Sequence, residues 1–229
     1  MAFKHVSHVI FDMDGLIIES ESVYDKVFSE IALNHGTEYT KDTKLKMMGT
    51  PDPITAQIAI KEMQLPYNVD QFLEIYLPRA KELLKHPQLM PGAKRLIQHL
   101  HKHNIPIAIA TSSSQEFLQI KTQDHQELIS LFQHIVCGST DPEVKNGKPA
   151  PDIFQVCASR FSDKPRPDQC LVFEDSPNGA MGAIAAGMQV VLVPDPDIPR
   201  EARQPATLLL GSLEEFKPEL FGLPAFERF

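Results

Sequence analysis

Val9-Ile10-Phe11-Asp12-Met13-Asp14-Gly15 is the stretch on which the rest of the sequence turns. Three apolar residues run without alternation into two carboxylates and a glycine. A strand apolar at every position is buried on both faces, as in a parallel sheet. Four later runs repeat the pattern. Ile105 to Ala110 leads into Thr111 and three serines, and Ile135-Val136 into Cys137-Gly138-Ser139. Leu171-Val172-Phe173 leads into Glu174-Asp175, and Val190 to Val193 into Pro194-Asp195. Helical spacing fills the intervals: Leu96, Ile97 and Leu100 within Ala93 to His103, and Ile153, Phe154 and Cys157 within Pro151 to Arg160. A third helix, Ser176 to Ala186, ends at Gly187, a residue suited to close it. Strand and helix in alternation predict a doubly wound α/β fold with a parallel sheet.

One interval departs from that alternation. From about Leu16 to His86 there is no strand pattern, only helical stripes. Val23, Val27, Phe28 and Ile31 form one that ends near Gly36; Ile54, Ile58 and Met63 form a second; Phe72, Ile75, Tyr76, Ala80 and Leu83 form a third, with Pro78 as an expected kink. A block of about 70 residues holding only helices reads as an insertion after the first strand. The predicted organisation is an α/β core over 1–16 and 87–229 with a helical cap domain over 17–86.

The chain has 229 residues, enough to bury a large core without disulfide or zinc. Its 30 acidic against 22 basic residues give a formal charge of -8, which argues against a nucleic-acid binder. The 3 cysteines are scattered and form no CxxC, so a zinc ribbon or redox motif is unsupported and a reducing compartment fits. The N-terminal apolar run stops at Asp12, short of a signal core, and the most apolar stretch, Ala183 to Val193, is too short for a membrane span. A cytoplasmic monomer is expected, with neither nucleic acid nor membrane as partner.

Ligands in open α/β sheets bind at the carboxyl ends of the strands. The sequence puts Asp12, Asp14, Thr111, Glu174 and Asp175 there, and the loop Asn146-Gly147-Lys148-Pro149 adds Lys148. That is four carboxylates, one hydroxyl and one ammonium around one crevice. Four carboxylates close together call for a cation, and an all-oxygen donor set favours Mg2+. Thr111 and the backbone N–H groups of Ser112 and Ser113, opening the next helix, would hold phosphate. Such a set suits phosphoryl transfer, with a carboxylate as nucleophile.

These residues are similar, in order and spacing, to the haloacid dehalogenase superfamily of phosphohydrolases. Phe11-Asp12-Met13-Asp14-Gly15 resembles its first motif, Thr111 its second, Lys148 its third, and Glu174-Asp175-Ser176 with Gly179 its fourth. The helical block falls where that family inserts a cap. The resemblance implies Asp12 as nucleophile, Asp14 as general acid and base, and Lys148 and Thr111 as phosphoryl ligands. It also implies Mg2+ held by Asp12, the Asp14 carbonyl and Asp175, with Glu174 ligating directly, through water, or only pairing with Lys148. An acid role at neutral pH would need a raised Asp14 pKa. The resemblance further implies a small-molecule phosphate ester as substrate, a nucleoside 5'-monophosphate or similar. Met48 and Thr50 are the candidate cap contacts, although for Met47 and Met48 filling of the helical block is the favoured reading over lining the pocket. The sequence departs from the family's habit at Glu19-Ser20, where Asp-Ser or Asp-Thr is common, and at Thr50-Pro51-Asp52, where a basic residue often follows the cap glycine. A phosphomutase of the β-phosphoglucomutase type and a non-catalytic phosphate-binding module are the alternatives.

Overall fold

The computed structural model describes residues 3–196, 198–203 and 206–227. Strands β1 (His8–Phe11), β2 (Ile107–Thr111), β3 (His134–Cys137), β4 (Cys170–Glu174), β5 (Gln189–Leu192) and the two-residue β6 (Leu208–Leu209) form one sheet in the order β3-β2-β1-β4-β5-β6. Every pairing is parallel. The predicted doubly wound fold is therefore present, with β6 added at the edge, too short to show as a pattern.

Alternate residues of the strands enter two apolar clusters. Val9, Phe11, Ile109, Leu171 and Phe173 pack with Leu96, Ile97 and Leu100 of α5 (Ala93–Lys102) and with Phe216 and Phe221 near the C-terminus. Ile10, Ala108, Ala110, Val172 and Val190 pack with α8 (Asp152–Ser159) and α9 (Pro177–Ala185). Both faces are covered, which is why the strands lack a polar alternation. β1 is central, and its register sets Phe11 beside Ile109 and Phe173. The residues just past those positions, Asp12, Thr111 and Glu174, share one end of the sheet.

Between β1 and α5 lie α1 (Glu21–Asn34), α2 (Lys41–Met47), α3 (Asp52–Glu62) and α4 (Val69–Leu83). They surround a third cluster of Val27, Phe28, Ile31, Met47, Ala56, Ala59, Phe72, Tyr76 and Ala80. Two predicted stripes need correction. In α3 the buried positions are Thr55, Ala56 and Ala59, while Ile54 is 43% exposed. In α4, Ile75 is 41% exposed. Small side chains face inward in α3 because it packs between α2 and α4. Helix α4 runs unbroken past Pro78 behind a capping box of Asn68 and Gln71. α2 and the single turn α7 (Gln126–Ile129) have no counterpart in the sequence pattern, whereas α6 (Gln115–Thr122) is the helix expected after Thr111. Phe117 of α6 belongs to the helical block's cluster although its helix follows β2.

The chain leaves and re-enters the sheet layer side by side. The Glu19 N–H donates to Gln88 O and the Met90 N–H to Ile17 O, each at 2.9 Å.

Candidate active site

Asp12 follows β1 and its N–H donates to Phe173 O at 2.9 Å, continuing the ladder one residue past the strand. Its carboxylate meets Lys148, whose Nζ donates to Asp12 Oδ1 at 2.5 Å, Glu174 Oε1 at 2.6 Å and Ala110 O at 3.1 Å. All three donors of one buried ammonium are thus used. Burial pulls the Lys148 pKa down, but Asp12 and Glu174 outweigh it and hold the ammonium charged well above its ordinary range.

Glu174 pairs with Lys148 through one oxygen, which gives that alternative direct support. Its Oε2 accepts the N–H groups of Asp175 and Ser176, both at 3.2 Å, and the Ser176 hydroxyl at 3.1 Å. Ser176 also caps α9, accepting the Gly179 N–H at 3.0 Å. A β-carbon at Gly179 would overlap the Glu174 carboxylate, so glycine is required by close approach. The same holds at Gly15, with φ +71°, where a β-carbon would run into Asp175 Oδ2.

Asp12, Glu174 and Asp175 can each bring one oxygen within 4.8 Å of the others, and all three are buried. Burial raises the Asp12 pKa to about 7, Lys148 pulls against it, and Glu174 and Asp14 push the same way as burial. Asp175 is raised well above the carboxylate range by burial first, then by Asp12 and Glu174. One ammonium among three buried carboxylates leaves negative charge uncompensated, and an oxygen-only donor set fits a hard divalent cation. The residues present therefore fit magnesium.

Asp14 faces elsewhere. Its Oδ1 accepts from Ser20 Oγ at 2.7 Å and from Lys121 Nζ at 2.5 Å, and its Oδ2 from Ser113 Oγ at 2.9 Å. Lys121, on α6, is fully buried and donates also to Ser113 Oγ at 2.7 Å. Burial raises the Asp14 pKa, but Lys121, Ser20 and Ser113 together bring it below the ordinary value. This corrects two expectations: Asp14 is not raised, and Lys148 is not the only ammonium. Lys121 carries no motif. Its one sequence signal is a lysine on the same helical face as Phe117 and Leu118.

Thr111, at the end of β2, is fully buried. Its hydroxyl accepts the Ser113 N–H at 3.1 Å, so that N–H is turned toward Thr111. The cap of α6 is Ser114, accepting from the Phe117 N–H at 3.3 Å, so the helix opens later than expected. The Ser112 hydroxyl donates to Gly49 O at 2.9 Å and the Asn178 amide to Met48 O at 2.9 Å. These two bonds tie the α2–α3 turn to the strand ends; Asn178 had no sequence signal. Met47, Met48 and Thr50 line the cleft above Asp12 and Asp14, together with Glu21, Tyr24, Phe28, Lys44, Asp52 and Tyr76. Met47 also belongs to the helical cluster, so it fills and lines at once. The Thr50 hydroxyl is spent on Met47 O at 2.7 Å.

Among the described residues, no helix is long and apolar enough to cross a membrane.

Residues 9–193 match the family model for haloacid dehalogenase-like hydrolases. A probable pseudouridine-5'-phosphatase of Drosophila melanogaster is 47% identical, covering 97% of this chain and 96% of its own. (DL)-glycerol-3-phosphatase 2 of Arabidopsis thaliana is 44% identical, covering 97% and 93%. Among solved structures, a β-phosphoglucomutase from Clostridium difficile superposes with a TM-score of 0.77 at 20% identity, covering 93% of this chain and 94% of that one. With a family model matched over residues 9–193 and phosphatases matched over nearly the whole length, the chain belongs to the haloacid dehalogenase-like hydrolases and, among them, to the phosphatases.

Proposed function

We propose that the protein is a magnesium-dependent phosphomonoesterase working through an aspartyl-phosphate on Asp12. The observation that carries this reading is the buried group of Asp12, Glu174 and Asp175 with Lys148 on Asp12 Oδ1. Asp12, Asp175 and the Asp14 carbonyl would hold Mg2+, with Glu174 beside them. Bound there, the cation supplies positive charge that neutralises the carboxylates and the incoming phosphoryl oxygens.

An Asp12 carboxylate oxygen attacks phosphorus, the bond to the leaving oxygen breaks, and Asp14 gives that oxygen a proton. In the second half Asp14 takes a proton from water, the hydroxyl oxygen attacks phosphorus, and the bond to Asp12 breaks. Inorganic phosphate is released and Asp14 is again protonated. The contacts seen at Asp14 suit this second half, because Lys121, Ser20 and Ser113 favour the carboxylate. Proton delivery in the first half needs the Lys121 contact loosened. The Thr111 hydroxyl and the Ser112 N–H donate to phosphoryl oxygens, and Lys148 neutralises them, exchanging its 3.1 Å bond to Ala110 O for one of them. Residues 17–86 act as a cap on two connectors and shield the acyl phosphate from water.

The substrate we infer is a nucleoside 5'-monophosphate, pseudouridine 5'-phosphate in particular, or a similar small phosphate ester. Two relatives at 47% and 44% identity carry phosphatase names, which favours hydrolysis over the mutase alternative. Steady phosphate release without a bisphosphate activator is expected. Turnover should stop in excess chelator and return with magnesium. Acid-stable label from a phosphate ester should appear on the wild-type chain and not on Asp12→Asn. Full activity in verified metal-free protein, or label on Asp12→Asn, would overturn the reading.

A further inference from the structure

The cleft that Asp12 and Asp14 line is walled by Tyr24, Phe28, Met47, Met48 and Tyr76 of the helical block. Phe28 and Tyr76 are stacked, with ring centroids 5.0 Å apart. The same space is lined by Glu21, Lys44 and Asp52. Their situations differ. Lys44 Nζ is held between Asp25 at 2.6 Å and Asp195 at 2.9 Å. Lys121, behind Asp14, is likewise committed to Asp14 and Ser113. Among the described residues, the Glu21 and Asp52 carboxyl groups have no hydrogen bond and no ion pair; burial pushes the Glu21 pKa up to about 8 against the pull of Lys44, and raises Asp52 above its ordinary value. The cations near this space are occupied, and the uncommitted groups are carboxylates.

A carboxylate offers only acceptor lone pairs in its charged form, so it is satisfied by a ligand's O–H and N–H groups. Aromatic faces add contact area for the apolar parts of such a ligand. An anionic group would meet Asp52, and Glu21 where it is ionised, with the lysines near the space already paired to other carboxylates. We propose that Glu21 and Asp52 set the specificity of the cleft: it selects phosphate esters whose departing alcohol is neutral and rich in hydroxyl or N–H donors, and discriminates against leaving groups that carry their own carboxylate. The inference rests on the phosphatase reading above and adds the chemical class of the leaving group.

The test compares kcat/KM of the full chain, with magnesium, for glycerol 3-phosphate and 3-phosphoglycerate, which differ at one end in a hydroxymethyl against a carboxylate. 4-Nitrophenyl phosphate is the reference. At about pH 9, where Glu21 is ionised, wild type should favour glycerol 3-phosphate over 3-phosphoglycerate by about tenfold or more, the scale of one like-charge contact at partial burial. Glu21→Gln and Asp52→Asn should each raise 3-phosphoglycerate relative to glycerol 3-phosphate by about three- to tenfold. Each ratio is taken within one preparation, so loss of folded protein cancels. The wild-type ranking decides even if a variant fails to fold. Equal or better turnover of 3-phosphoglycerate by wild type, or ratios that neither variant moves, would overturn the proposal. Absence of hydrolysis of all three esters would instead strike the phosphatase reading, and this inference with it.

Discussion

At the strand ends the lysines are committed: Lys148 lies between Asp12 and Glu174, and Lys121 between Asp14 and Ser113. Across the same cleft the helical block presents Glu21 and Asp52, for which the described residues offer no such partner. In the first region the lysine–carboxylate pairs are set before a substrate arrives, with the cation alone to be added, as preorganised electrostatics require. The second is left for the ligand to complete, as selection among leaving groups requires. The core supplies chemistry common to all phosphate esters, and the block supplies preference.

The hardest blow to that division should come from Lys148→Met. It leaves Asp12 and Glu174 without their shared cation, and we expect kcat/KM to fall by about a thousandfold on every ester alike. Circular dichroism of the same preparation separates this from unfolding. A change of substrate ranking instead would mean that the core also selects.

Lys121→Met should cost about ten- to a hundredfold in kcat with a smaller change in KM. The pH profile sharpens the assignment. Lys121 helps hold Asp14 below the ordinary carboxylate value, so its loss raises the Asp14 pKa. A base must be deprotonated, so the acid limb of kcat should move to higher pH. An unmoved limb would remove Lys121 from the positioning of Asp14.

Met48→Ala and Thr50→Val test the other region. They should reorder unlike esters by about threefold, the scale of a modest packing change, and leave magnesium affinity near wild type. Uniform loss across esters would place that turn with the core.

The smallest effect is thermal. In the metal-free fold Asp12 and Asp175 keep protons that the unfolded chain has lost above its ordinary carboxylate pKa. Their contribution to stability therefore declines as pH rises from about 4 to about 7, the window set by Asp12. Magnesium needs both carboxylates deprotonated, so protons compete with it at low pH. The Tm gain on adding magnesium should be larger at pH 8 than at pH 5, by about 2–4 °C for each 1 kcal/mol. An equal gain at both would mean that the cation binds elsewhere.

What could be read from the chain divides along the same line. Val9 to Phe11 and Leu171 to Phe173 announce themselves because both faces of each strand are buried, and the first polar residue after each marks the site. α2 does not, because Lys41-Asp42-Thr43-Lys44-Leu45-Lys46-Met47 is polar on most sides and is held by its Thr40 cap and by ion pairs of Lys44. α3 misleads because its inward face is small rather than large, so Ile54 draws the eye while Ala56 and Ala59 do the packing. Lys121 was hidden because a single lysine in a short helix looks solvated until Phe117 and Leu118 show which way that face turns.

Phe117 has a consequence for anyone who wishes to exchange such parts between proteins. It is lent by α6 to the apolar cluster of the helical block, with Ile120 packed against the same group. Excising residues 17–86 would uncover those two side chains and leave a gap where they had been. A chimera that transplants the block must carry that face of α6 with it, so the unit of exchange is larger than the continuous segment of sequence.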